Sequence, residues 1–258
     1  MSTSGTIVAE LSARTIIAPG IADLSFRMCA PPALVFQAGQ FVSIAVAPAG
    51  DATTPARRSY SIASQSDAGD SLRFIIRVIP SGAASELLMS IPVGSAVRMT
   101  GPHGFFVLDA THAGDVIFGA TGTGVAALMP MLGELTRRST MATAAAAQGS
   151  GASCEAPHAR HALYWGLRHE SDLFAHDEIA RLCDASGTEL LVYLSAAGEG
   201  WTGGRGRITA AILDRLPALH APTFYLVGNG AMITELKREL VARGVNRKRQ
   251  IRTEAFFD

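Results

Sequence analysis

Three short segments of this 258-residue chain carry side chains suited to holding phosphates and flat aromatic rings. The first is Arg58-Ser59-Tyr60-Ser61. An arginine can clamp a phosphate with two parallel hydrogen bonds, a tyrosine offers a flat apolar face, and a serine hydroxyl can donate to a ring nitrogen. If the segment is a strand, Arg58 and Tyr60 share one face and Ser61 points to the other. The second is Gly82-Ala83-Ala84-Ser85, which opens a predicted helix. Free backbone N–H groups at a helix start attract phosphate, glycine clears the approach, and Ser85 could add a hydroxyl. The third, Gly119-Ala120-Thr121-Gly122-Thr123-Gly124, sits between an apolar run and a helical pattern. A glycine-rich turn there lets a dinucleotide come close to the backbone. It is not the full six-residue G-x-G-x-x-G fingerprint, and it lacks the lysine of a P-loop, which argues against a nucleotide kinase.

These segments need a scaffold, and the sequence changes rhythm midway. Up to about Thr111, short runs rich in Val, Ile and Phe alternate with Gly, Pro and Asp clusters: 6–17, 22–29, 40–47, 58–63, 72–79 and 96–100. Leu72, Phe74, Ile76 and Val78 follow a period close to two. Many short strands at this spacing predict an antiparallel β-barrel with one helix, 84–89. After Asp115, strands at 116–120, 163–167, 189–194, 223–227 and 250–257 alternate with helices at 125–138, 173–184, 208–216 and 231–243. That alternation predicts a parallel sheet wrapped by helices. The expected division is an N-terminal β-barrel domain, 1–112, and a C-terminal α/β domain, 113–258. The Ala-, Gly- and Ser-rich stretch 139–161 is expected to be a surface insertion loop.

Composition narrows the function. Lys+Arg and Asp+Glu both total 22, so net charge is zero, and a nucleic-acid partner is not expected. The locally basic stretch Arg243–Arg252 reads as a solvated helix end and turn; the alternative is a docking patch for an acidic electron carrier. No run of about 18 apolar residues occurs, so no membrane span is expected. The N-terminus has no signal-type pattern, and a cytoplasmic monomer is the expectation. Cys29, Cys154 and Cys183 are far apart, so neither an iron–sulfur nor a zinc ligand set is formed. His103, His158 and His161 lack acidic or cysteine companions, and no metal site is expected. Any one-electron acceptor must therefore be a separate molecule.

Taken together, the segments resemble the ferredoxin–NADP reductase superfamily over nearly the whole chain. Arg58-Ser59-Tyr60-Ser61 is similar to its Arg-x-Tyr-Ser/Thr flavin motif, and Arg77-Val78 with Gly82, Ala83, Ala84 and Ser85 to its second flavin segment. Gly101-Pro102-His103-Gly104-Phe105-Phe106 resembles its inter-domain junction. Thr121, Gly122, Thr123 and Gly124 resemble its nicotinamide-domain glycine motif. Gly228-Asn229 with Met232 resembles the turn after its last nucleotide strand, and Glu254 to Phe257 the ending of bacterial members. The resemblance implies FAD as cofactor. Arg58 would hold the flavin diphosphate, Tyr60 would stack on the ring, and Ser61 would lie near N5, with Ser59 and Thr123 also at the flavin. Phe256 and Phe257 would either cover the flavin face or pack the last strand. It implies NAD(P)H at Thr121 to Gly124, Ser195, Arg205, Arg207, Val227, Gly228, Asn229 and Met232. Ser61 and Glu254 would handle the N5 proton. Two positions depart from the family: Val227 stands where a cysteine is common, and Ala127 where the glycine motif often continues to proline.

The expected activity is that of an FAD-dependent NAD(P)H reductase serving a ferredoxin, flavodoxin or oxygenase component. The alternatives are a flavin or quinone reductase with a diffusible acceptor, and a low-turnover redox-sensing flavoprotein, the latter suggested by Val227. The choice between NADH and NADPH stays open. Ser195-Ala196 lacks a following arginine and Glu199 is near, yet Arg205 and Arg207 lie just beyond.

Overall fold

The computed structural model describes residues 5–46, 56–67, 69–109, 113–147 and 159–256. The chain divides into two compact units. One comprises Met1–Leu108 with Ala126–Pro130, the other Asp109–Val125 with Met131–Asp258.

The first unit is an antiparallel sheet of six strands: β1 (Gly5–Ala18), β2 (Ile21–Ala30), β3 (Phe41–Val46), β4 (Ala56–Ser61), β5 (Ser71–Arg77) and β6 (Ala96–His103), with α1 (Ala83–Ser90) after β5. The order is β4-β3-β6-β1-β2-β5. The end strands meet where the Ala63 N–H donates to the Arg73 carbonyl at 2.8 Å, bringing the sheet round on itself. Alternation places Leu11, Leu24, Phe26, Ile44 and Phe74 in one core. Phe26 and Phe74 meet edge to face, with ring centroids 5.6 Å apart. Leu88 of α1 is fully buried in the same core, which seats the helix against the sheet. Asp23 and Arg73 form a bidentate pair across β2 and β5, with Nε–Oδ1 at 3.0 Å and Nη2–Oδ2 at 2.8 Å.

The second unit is a parallel sheet in the order β10-β9-β8-β7-β11-β12. Its strands are β7 (Val116–Thr121), β8 (His161–Leu167), β9 (Thr188–Leu194), β10 (Gly204–Arg205), β11 (Thr223–Asn229) and β12 (Ile251–Phe256). The helices are α2 (Val125–Ala147), of which Ala126–Pro130 count with the first unit, α3 (His176–Ala185), α4 (Ile208–Arg215), α5 (Gly230–Ala242) and α6 (Arg247–Gln250). The central strands β7, β8 and β11 are buried almost end to end, as a sheet covered on both faces requires, while edge strand β12 alternates. Asp115, just before β7, ties the three central strands at their N-terminal ends. Its carboxylate accepts the Arg160 and His220 N–H groups, each at 2.8 Å. Burial opposes its ionisation, but these donors prevail and hold the carboxyl below its usual range.

The expected loop 139–161 is corrected in part. Residues 139–147 continue α2, and β8 begins at His161; 148–158 lie outside the described residues. Alanine is the best helix former, so the helix runs on past Arg138, and the Thr140 and Thr143 hydroxyls are accommodated by bonding to the carbonyls four residues earlier. Among the described residues, no helix is long and apolar enough to cross a membrane.

Candidate functional site

In the first unit the site is built on β4, at the edge of the sheet. Tyr60 lies opposite Val42 and Arg58 opposite Ile44. Cross-strand partners share a face, and both partners on β3 are fully buried. Arg58 and Tyr60 therefore rise from the core side of the rim, and Ser59 and Ser61 point the other way, as the alternation predicts. Tyr60 packs against the core, its ring centroid 6.4 Å from that of Phe74. Burial pushes its phenol up to about 12, against the opposing charge of Arg58. The Arg58 guanidinium is exposed and commits Nη1 to the Arg57 carbonyl at 2.9 Å. Arg57 itself reaches across β3 to Thr100 Oγ1 at 2.9 Å.

Strand β5 ends in exposed Arg77, with half-buried Val78 next, and the chain turns through Ser81, at φ 59°, into α1. Gly82 is confined here. A Cβ on it would lie 3.0 Å from the Ile79 carbonyl and 3.2 Å from the Ile79 Cβ. Buried Ser85 does not project into the open. Its hydroxyl oxygen accepts the Ile79 N–H at 2.8 Å and closes the turn. The start of α1 carries no side-chain cap, so the first amides, at Ala83, Ala84 and Ser85, lack intrahelical partners. The other end is held by Arg14, whose Nη1 donates to the carbonyls of Leu88 and Ile91 at 3.0 and 2.8 Å. A cation at the C-terminus and open amides at the N-terminus leave the positive end of the helix dipole available for an anion. Helix α1 lies against β3, the strand paired to β4. The arrangement suits a diphosphate beside an aromatic ring.

The second unit builds its site where the strand order reverses. From β7 the chain runs outward through β8, β9 and β10, then returns to the other side of β7 as β11. Sheets of this kind bind ligands at the carboxyl ends of the two strands flanking that reversal. Both predicted glycine segments fall there. Thr121 ends β7, Gly122–Gly124 form a 3₁₀ turn, and Gly228 and Asn229 end β11. The Asn229 N–H donates to Thr121 Oγ1 at 2.8 Å, which ties one turn to the other. The Asn229 side chain caps α5 by accepting the Met232 N–H at 3.0 Å. Gly228 has φ 114°, and a Cβ there would come within 2.4 Å of Thr121 Oγ1 and 2.6 Å of the Thr121 carbonyl. A Cβ on Gly124 would lie 2.9 Å from the Val227 carbonyl. Thr123, Val227 and Met232 are buried beside these turns. On β12, Glu254 lies opposite Val227 and Phe256 opposite Asn229, both half-buried. Phe257 lies outside the described residues.

The remaining nucleotide residues are farther along the sheet. Ser195 is exposed just past β9, its N–H bonded to the Leu167 carbonyl at 3.0 Å. Arg205 is turned inward on its own loop. Its Nη2 donates to the carbonyls of Gly198, Glu199 and Trp201 at 3.0, 3.0 and 2.9 Å. Arg207, at the start of α4, is free in solvent apart from a 3.8 Å approach to Glu235. Two residues escaped the sequence reading. Arg168 is exposed at the end of β8, its carbonyl accepting the Ala196 N–H at 2.8 Å, next to Ser195. Trp165 is fully buried in β8 and donates its indole N–H to the Gly122 carbonyl at 3.0 Å. A tryptophan followed by Gly166 in an apolar strand was the available signal. No group of three or more His, Cys, Asp or Glu able to hold a metal occurs among the described residues.

Comparison with known proteins matches both units. An oxidoreductase FAD-binding domain family covers residues 8–108 and an oxidoreductase NAD-binding domain family residues 118–238. The chain is 33% identical over 246 residues to ferredoxin–NADP reductase B of Sorangium cellulosum (strain So ce56), covering 92% of this chain and 91% of that one. It is 32% identical over 192 residues to methane monooxygenase component C of Methylosinus trichosporium, covering 74% of this chain but only 49% of that longer protein. Its fold matches a ferredoxin NADP+ reductase from Neisseria gonorrhoeae, solved with bound FAD and NADP. The TM-score is 0.76 at 19% identity, over 100% of both chains.

Proposed function

Because the chain belongs to the ferredoxin–NADP reductase superfamily and is an NAD(P)H-dependent flavoprotein reductase with FAD as cofactor, we propose that its acceptor is a ferredoxin, a flavodoxin or an oxygenase component. The names of its relatives support this choice: one is a ferredoxin–NADP reductase, another a component of a methane monooxygenase. FAD, when bound, accepts a hydride as an electron pair and releases electrons singly, a conversion no side chain of the protein performs.

The residues present fit that cofactor. Arg58 and the uncapped amides at Ala83 to Ser85 hold the diphosphate, and Gly82 keeps the approach clear of a side chain. Tyr60 presents its ring, already fixed by the core, as a stacking surface. Its phenol stays neutral at every working pH and adds no charge there. Ser61 supplies a hydroxyl at the end of β4. The nucleotide is held at the reversal between β7 and β11, where Gly124 and Gly228 let the two turns pack closer than a Cβ would allow. Val227 offers packing without the polarisable thiol. Glu254, in register with it on β12, carries a proton in this reading. Arg168 and Arg207 are exposed cations on the β8–β9 side suited to a 2′-phosphate, while Arg205, also exposed, bonds the carbonyls of its own loop.

One combination carries the reading: an uncapped helix start together with the exposed Arg58 of β4 in the first unit, and in the second a reversal point whose two turns Gly124 and Gly228 allow to close on each other. The test is turnover of purified protein with NAD(P)H and three acceptors: a ferredoxin, free flavin and a quinone. Preference for the ferredoxin supports the proposal. Preference for free flavin or quinone replaces it with a diffusible acceptor. A bound flavin with negligible turnover on all three replaces it with a sensing role.

A further inference from the structure

Trp165 is buried, yet its one polar group is fully used. The indole Nε1 donates to the Gly122 carbonyl at 3.0 Å, and the ring is clamped edge to face by Phe174, with centroids 5.1 Å apart and planes at 81°. Its backbone is fixed by pairing in β8 opposite Ala120 of β7. A buried indole N–H without an acceptor would be costly, so the ring is confined to the orientation that reaches Gly122.

The acceptor sits at a sensitive point. Gly122 has φ 53°, a conformation that glycine adopts freely, and begins the turn leading into α2. Its amide and that of Thr123 open a 3₁₀ segment and have no intrahelical acceptor. In a planar trans peptide, the carbonyl of Gly122 and the N–H of Thr123 point in opposite directions. Whatever fixes the carbonyl therefore aims the amide. On the other side of the turn, Thr121 Oγ1 is held by the Asn229 N–H at 2.8 Å.

Building on the reading that the nucleotide binds at this reversal point, we infer that Trp165 is a positioning residue for nucleotide binding: by holding the Gly122 carbonyl it aims the Thr123 N–H at the bound dinucleotide. Trp165 touches no substrate atom and acts through the peptide it anchors. In its absence the flexible Gly122 peptide can rotate, and each binding event must first order it.

The test is Trp165→Phe in the FAD-loaded protein, which keeps an aromatic ring against Phe174 and removes the donor. Phe174→Leu is the packing control, since it loosens the ring and leaves the donor. Nucleotide dissociation constants come from flavin-band difference spectra, alongside flavin occupancy, the limiting rate of flavin bleaching and amide exchange at Thr123. Trp165→Phe is expected to raise the dissociation constant about 2- to 13-fold, the range for one lost hydrogen bond. Thr123 exchange should quicken, while flavin occupancy and the limiting bleaching rate hold. Unchanged affinity in Trp165→Phe would overturn the inference, as would an equal loss in Phe174→Leu. Failure of the unaltered FAD-loaded protein to bind either nucleotide would remove the underlying reading, and the inference with it.

Discussion

Replacing Gly228 with alanine should damage the nucleotide half of the site far more than the loss of one hydrogen suggests. The added Cβ would stand 2.6 Å from the backbone carbonyl of Thr121 and 2.4 Å from its Oγ1. The hydroxyl can rotate away, but the carbonyl belongs to β7 and cannot. At φ 114° an L-residue is also strained, which costs about 1–2 kcal/mol. Displacing Thr121 Oγ1 breaks the bond from the Asn229 N–H, a further loss of about 1 kcal/mol. The sum is about 2–3 kcal/mol. If that strain is relieved by parting the two turns, nucleotide affinity falls about 30- to 140-fold. The assay is titration of the FAD-loaded variant with NADH and NADPH, read at the flavin band, with a thermal melt beside it. Adding Thr121→Ala should recover only a small part, because the carbonyl clash remains. Near-normal affinity in Gly228→Ala, or full rescue by Thr121→Ala, would refute the reasoning.

Other consequences can be checked in the same way. Asp115→Ala removes the acceptor of two buried N–H groups and is expected to cost about 1–3 kcal/mol at neutral pH by denaturant melt. Because the folded carboxyl titrates below its unfolded value near 3.9, that contribution is present above about pH 4 and is lost as pH falls further. The gap between parent and variant should therefore close in acid, and a constant gap would count against the clasp. Arg58→Ala should release flavin on gel filtration, whereas Tyr60→Phe should retain it with an unchanged spectrum. Arg207→Ala and Arg168→Ala should lower the affinity for NADPH relative to NADH. Arg205→Ala should leave that ratio unaltered and shift the fluorescence of Trp201, whose carbonyl it binds.

What the sequence revealed depended on whether the physics was local. The near-period-two pattern around Leu72 to Val78 announced β5, because alternation depends only on which face meets the core. The helical pattern over 231–243 located α5, because helix periodicity operates within a few residues. The glycine segments were visible as turn composition after apolar runs, but the reason for Gly124 and Gly228 was not, because a Cβ there would meet Val227 and Thr121, more than 100 residues away. The end of α2 was misjudged: the Ala-, Gly- and Ser-rich composition of 139–161 read as a loop, but its alanines favour helix and the Thr140 hydroxyl satisfies itself on the Thr136 carbonyl. Residues acting at long sequence separation were hidden. Trp165 meets Gly122 43 residues away, and Asp115 meets His220 105 residues away. At Arg205 the residue type was visible, while its carbonyl partners at Gly198, Glu199 and Trp201 were not. The two-residue β10 and the four-residue α6 are too short to carry a pattern.

The central claim is that one chain binds FAD through its first unit and is reduced by a nicotinamide nucleotide bound at its second. Anaerobic mixing of the purified protein with NADH, and separately with NADPH, followed by stopped-flow absorbance at the oxidised-flavin band, tests it directly. The account predicts a bound flavin that bleaches rapidly with at least one nucleotide and at saturating rate in Trp165→Phe. A protein that purifies with flavin which neither nucleotide bleaches, or one that holds no flavin when FAD is supplied, would contradict it.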